Sequence, residues 1–190
     1  MKYKKLAILS ILAVLSGVSV LGTNAHADTE INTAKYTTNI QKLQKIFQKK
    51  NKKFELEKIQ VENNNDTKKE PVYVFEGVNK DKTKEAKLKV NADKTNEVIK
   101  SKTEKIDADD KNEIELLDLQ NVKQEPSDAI KLAQKYAKTK DAPTEWTLEN
   151  EKISQKQIPV YKIKFKDDHK QIEVRLNAQN GNKISIENDD

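Results

Sequence analysis

Hydrophobic positions along the chain form one continuous run, followed by two copies of a periodic pattern. The run extends from Leu6 to about Leu21 and is interrupted only by serine and glycine. In the C-terminal half, Ala129, Ile130, Leu132, Ala133, Tyr136 and Ala137 recur at helical spacing, which predicts a helix just after Pro126. Ser127 or Asp128 stands where a side chain can cap its free amides, and Asp141-Ala142-Pro143 ends it. Trp146 and Leu148 begin an alternating strand. Pro159 opens a second, with Tyr161, Ile163 and Phe165 on one face and Lys162, Lys164 and Lys166 on the other. Asp167-Asp168-His169-Lys170 reads as a turn, and Ile172, Val174 and Leu176 alternate in a third strand. Asn180-Gly181 predicts a tight turn, because glycine takes positive φ freely, and Ile184 and Ile186 close a fourth strand.

The same plan precedes it. Pro71-Val72-Tyr73 recurs as Pro159-Val160-Tyr161, and Val90-Asn91-Ala92 as Leu176-Asn177-Ala178. Phe54-Glu55-Leu56-Glu57 resembles Trp146-Thr147-Leu148-Glu149, and the helical positions Ile40, Leu43, Ile46 and Phe47 precede it. Four matches in one order indicate a duplication. The expected fold class is therefore α+β, with two tandem small modules. Each would be one helix packed on an antiparallel sheet of about four strands, since neither element can bury its apolar side alone. The expected boundaries are residues 28–106 for the first module, 107–125 for an acidic connector and 126–190 for the second. Leu116, Leu117 and Leu119 in the connector are expected to pack on the modules.

The N-terminal run changes the reading of everything after it. Lys2, Lys4 and Lys5 precede the apolar core, and Ala25-His26-Ala27 has the small-x-small form of a cleavage site. Residues 1–27 are expected to be a secretory signal peptide, cut between Ala27 and Asp28. The run is marginally short for a membrane span, which takes about 20 residues. The sequence has no cysteine, so no lipid anchor can be attached to one and no disulfide framework exists. The protein is expected to be secreted, in the medium or the cell-wall space.

Charge is divided between the halves. Residues 28–106 carry 19 basic and 13 acidic side chains, a net +6; residues 107–190 carry 14 and 18, a net −4. The basic half could meet an anionic polymer of the envelope, or the charges could simply solvate the surface. All but one of the 36 basic residues are lysine, the exception being Arg175. Together with abundant asparagine, this fits an AT-rich coding bias of the kind common in low-GC Gram-positive bacteria.

Few residues suggest chemistry. After residue 27 the lone histidine is His169, in a turn, whereas metal sites and serine triads use more imidazole. Asp107 to Asn112 faintly resembles a calcium loop, but Lys111 and Asn112 stand where an oxygen ligand and glycine belong. No catalytic, cofactor-binding or metal residues are expected, and nucleic-acid binding is not, because the aromatics read as buried. Tyr73, Tyr161, Trp146 and Phe54 are read as inward-facing strand residues.

The order of helix, strand, Pro-Val-Tyr strand, charged turn, strand and Asn-Ala-x-x-Gly-x-Ile resembles the PepSY domain family. Pro159, Val160, Tyr161, Leu176, Asn177, Ala178, Gly181 and Ile184 carry the likeness in the second copy. Pro71, Val72, Tyr73, Val90, Asn91, Ala92 and Val98 carry it in the first, with Thr95 replacing the glycine. The resemblance implies a non-enzymatic tandem module of the kind found in propeptides of thermolysin-like metallopeptidases and in exported bacterial proteins. It implies an inhibitor or regulator of extracellular peptidases whose partner is an envelope or extracellular protein. The alternative is an envelope-associated protein that binds anionic wall polymers through its basic first module.

Overall fold

A computed structural model describes residues 32–63, 70–167 and 170–189; the predicted signal segment, its cleavage site at Ala27 and Asp28, and His169 lie outside them. The first half contains helix α1 (Ile40–Lys50) and strands β1 (Phe54–Asn63), β2 (Pro71–Asn79), β3 (Lys84–Asn91) and β4 (Val98–Lys105). The second contains α2 (Pro126–Ala137), β5 (Glu145–Ile153), β6 (Lys156–Asp167), β7 (Lys170–Asn177) and β8 (Lys183–Asp189). Each half is the predicted helix and four-stranded meander.

The expectation of two separate tandem sheets is corrected. All eight strands form one antiparallel sheet in the order β4-β3-β2-β1-β5-β6-β7-β8. The first strands of the two halves join them, with Lys58, Ile59, Gln60 and Val61 opposite Glu149, Leu148, Thr147 and Trp146. The physical reason is twofold. A four-stranded unit with so few apolar residues buries too little surface to be secure alone. Joining β1 to β5 also removes two open edges at once.

The joint is self-complementary. Within the halves, Ile59 pairs with Phe75 as Trp146 pairs with Ile163, and Val61 pairs with Tyr73 as Leu148 pairs with Tyr161. Ile59 is thus equivalent to Trp146, and Val61 to Leu148. Across the joint Ile59 meets Leu148 and Val61 meets Trp146, so each residue meets the counterpart of its partner's position. This is the pairing of a twofold homodimer, here within one chain. A bulge at Lys89/Val90 between β3 and β4 recurs at Arg175/Leu176 between β7 and β8. The register also corrects the match of Phe54 with Trp146. Pairing with Phe75 places Ile59, five residues further on, at the position of Trp146, and a bulge at Leu56/Lys58 accounts for one of those residues.

Both helices lie on one face of the sheet, over a single core. Ile40, Leu43 and Phe47 of α1 and Ala129, Ile130 and Ala133 of α2 are buried there with Ile59, Tyr73, Leu88, Trp146, Tyr161 and Val174. Asn39 caps α1, its side chain accepting from the Gln41 and Lys42 amides. Neither Ser127 nor Asp128 caps α2. Pro126 occupies its first turn, where a missing N–H costs nothing, and Glu125 takes the cap position without a side-chain cap bond. In the connector, Asp110–Asn112 forms a single 3-10 turn. Leu117 is buried and donates its amide to the Leu56 carbonyl at 2.8 Å, while Asn150 Nδ2 donates to the Leu116 carbonyl at 2.7 Å.

Candidate functional site

The residues that mark the repeat are structural. The Tyr73 hydroxyl donates to Thr38 Oγ1 at 3.0 Å, and the Tyr161 hydroxyl donates to the Gln124 carbonyl at 2.9 Å. Each tyrosine therefore reaches from the second strand of its half to the segment entering that half's helix. Burial pushes the pKa of both phenols above the ordinary tyrosine value; for Tyr161, Glu125 and Asp128 add to it. The Asn-Ala pair closes β3 and β7. Asn91 Oδ1 accepts from the Asp93 and Lys94 amides, and Asn177 Oδ1 from that of Gln179. The alanine amides return to the second strand, Ala92 to the Pro71 carbonyl at 3.0 Å and Ala178 to Pro159 at 2.8 Å. Trp146 is buried between the two tyrosines, edge-on to both, with ring centroids 6.4 Å from Tyr73 and 6.1 Å from Tyr161. Its indole donates to the Tyr36 carbonyl at 3.1 Å. Phe54 packs partly buried against the core.

That leaves the sheet face opposite the helices. Alternation places Lys58, Glu76, Lys87, Lys89, Glu149, Lys162, Lys164 and Arg175 there, and charge of one sign mostly meets the other. Lys58 Nζ lies 2.7 Å from Glu76, which also binds Lys87 at 3.2 Å. Lys89 binds Glu62 at 3.0 Å, and Lys164 binds Glu145 at 2.9 Å. Lys162 pairs with Glu149 and Glu151, and Arg175 with Glu151 and Glu187. Burial disfavours the Glu76 and Glu151 carboxylates, yet Lys58 and Lys87 for the one, and Lys162 and Arg175 for the other, hold them below the usual carboxylate range. At the β3–β4 edge, like charges stand opposite one another: Lys87 faces Lys102, Lys89 faces Lys100 and Glu85 faces Glu104. Such pairs weaken a ladder.

One part of this face is concave. The chain after β4 folds back over the sheet and closes a cleft of about 450 Å³ lined by Glu57, Glu76, Glu85, Lys87, Asp110 and Glu113, with Val78, Ile106 and Ile114 as its apolar part. The bulge in β1 places Glu57 at this cleft. Burial, reinforced by Glu76 and Glu85 against Lys58 and Lys87, pushes its carboxyl up to about 7. Asp110, from the calcium-like segment, lines the cleft, but no group of three or more His, Cys, Asp or Glu among the described residues is arranged to hold a metal. No described helix is long and apolar enough to cross a membrane. Sequence reasoning missed Glu57, whose position depends on the bulge.

No curated protein matches the chain. Among solved structures, that of a candidate lipoprotein from Clostridium difficile 630 is similar, with 26% identity and a TM-score of 0.66. The alignment covers 80% of this chain and 94% of that one. Residues 123–187 match the family described as peptidase propeptide and YPEB domain, so the second half, from the entry to α2 through β8, carries a PepSY domain.

Proposed function

We propose that this is an exported, non-catalytic protein that binds and restrains a peptidase at or outside the cell surface. The observation that carries the reading is the PepSY domain at residues 123–187. The first half repeats its topology, its tyrosine anchor and its Asn-Ala turn, which supports a paired unit. In this reading residues 1–27 are removed between Ala27 and Asp28, residues 28–106 and 126–190 are the two halves and 107–125 connect them. The similar candidate lipoprotein supports an envelope or extracellular location. This chain has no cysteine to carry a lipid.

The test has two arms. Mass spectrometry of the exported protein should find Asp28 at its N-terminus. Micromolar protein should slow secreted metallopeptidases of the same organism; unchanged rates with no detectable complex would remove the reading.

A second reading, attachment to an anionic polymer of the envelope, is favoured by one observation. Residues 31–54 contain seven lysines and no acidic residue.

A further inference from the structure

The open sheet face is balanced in charge, so it does not account for the basic first half. Helix α1 does. Lys42, Lys45 and Lys49 are three and four residues apart and form one stripe along the helix. Lys50, Lys52 and Lys53 carry it through the turn into β1. All six are exposed, and none forms an ion pair among the described residues. Lys49 and Lys50 also suit the negative end of the helix dipole. That role does not extend to Lys42 and Lys45 in the first turns, or to Lys52 and Lys53 beyond the end.

Uncharged side chains border much of this stripe. On one side, between α1 and the β3–β4 edge, a small cleft is lined by uncharged Thr95, Asn96 and Val98, with Glu97 exposed beside them. On the other, Gln44 and Gln48 line a cleft together with Glu55 and Asp118. The equivalent helix α2 differs, because its Lys131 is paired with Asp128 at 3.4 Å.

We propose that the exposed face of α1 and its C-terminal turn bind a linear phosphodiester polymer outside the cell. This rests on the second reading above and places its site. Lysine offers compact point charges suited to phosphate groups in series. Val98 is the one large hydrophobic side chain exposed among the described residues, so no aromatic platform is offered for stacking bases. A polyol phosphate fits this chemistry better than a nucleic acid.

Binding of the whole protein to poly(glycerol phosphate) should be measured by titration at several salt concentrations. With about six phosphate contacts, affinity should fall roughly 300-fold between 50 and 200 mM salt, by analogy with single-stranded nucleic acid. The variant Lys42→Gln/Lys45→Gln/Lys49→Gln/Lys50→Gln keeps helix-forming residues and should lose most of the binding, with a log–log salt slope smaller by about 3. A matched variant on α2 and the turn after it, Lys131→Gln/Lys135→Gln/Lys138→Gln/Lys140→Gln, should bind as the parent does. Unchanged Trp146 fluorescence would show that both variants are folded. If the α1 variant binds as tightly as the parent, the site is wrong although the polymer reading stands. If the parent does not bind, both fall. Binding to vesicles of anionic phospholipid but not to the polymer would also overturn the proposal.

Discussion

Glu125 and Asn39 join the entrances of the two helices. Asn39 Nδ2 donates to Glu125 Oε1 at 2.7 Å, and the Ile40 amide donates to Oε2 at 3.2 Å. Asn39 caps α1 and Glu125 occupies the cap position of α2, so one carboxylate at the entry to the second half's helix satisfies the start of the first half's helix. It also places negative charge at the positive end of that helix. Glu125→Ala should destabilise the protein by about 1 to 2 kcal/mol. Urea midpoints would measure it, and amide exchange should quicken in α1 more than in α2.

Trp146 ties the N-terminal segment to the core. It is fully buried, touches both tyrosines and donates to the Tyr36 carbonyl. Trp146→Phe should cost about 1 to 2 kcal/mol, chiefly from the unpaired Tyr36 carbonyl and lost ring area. Trp146→Ala should cost about 3 to 5 kcal/mol. Since the chain has one tryptophan, the parent's emission should be that of a buried indole and shift red in one step on unfolding. A red-shifted emission in native buffer would contradict this burial.

The elements were legible in the sequence because each half has clean periods. Tyr161, Ile163 and Phe165 do face the core, and Lys162 and Lys164 face away. What local pattern could not show was whether β1 and β5 are edges or neighbours. Gln60 and Thr147 look alike in either setting, and the pairing that joins them links residues 87 apart in sequence. The same limit hid Glu57. Strand pairing puts the Trp146 equivalence at Ile59 rather than Phe54, and the one bulge residue in β1 placed a carboxyl at the cleft under the connector. Bulges depend on the partner strand, which local sequence does not reveal.

Glu57 should make stability depend on pH near neutrality. Its folded carboxyl titrates at about 7, above the ordinary value of 4.5, so between these values the folded state binds more protons than the unfolded one. Stability from this group is therefore lost as pH rises through that window. Glu57 is partly exposed, so after allowance for solvent screening the effect is on the order of 1 kcal/mol. Glu57→Gln should raise the urea midpoint at pH 8 relative to the parent and change it less at pH 5. An equal change at both pH values would show that Glu57 is not held protonated.

The two glycines after the signal segment should respond differently to alanine. At Gly77 a Cβ would lie 2.4 Å from the Glu55 carbonyl and 2.7 Å from the Phe47 ring, so backbone must move where α1 packs on β2. At Gly181 the obstacle is the Leu132 side-chain tip at 2.7 Å, which can turn aside, but φ is +74°. Gly77→Ala should cost about 2 to 3 kcal/mol, within the range for overpacking, and Gly181→Ala about 1 kcal/mol. Thermal unfolding of the two variants would rank them.

The joint between the halves predicts the behaviour of the second half alone. A fragment of residues 107–190 keeps α2 and four strands but loses β1, so β5 becomes an open edge. Trp146 also loses its contacts with Tyr73 and the Tyr36 carbonyl, and Pro143 loses the Thr33 amide and hydroxyl. Open edges associate. Because the β1–β5 pairing is self-complementary, β5 of one fragment can take the place of β1 beside another, with Trp146 opposite Leu148 of the second copy. The fragment should form dimers at micromolar concentration, seen by light scattering after size exclusion. Adding the fragment of residues 28–106 should convert them to a one-to-one complex, because Ile59 and Val61 restore the native partners. A fragment that stays monomeric and unfolds cooperatively would show that the halves are independent and that the shared sheet contributes little to holding the fold.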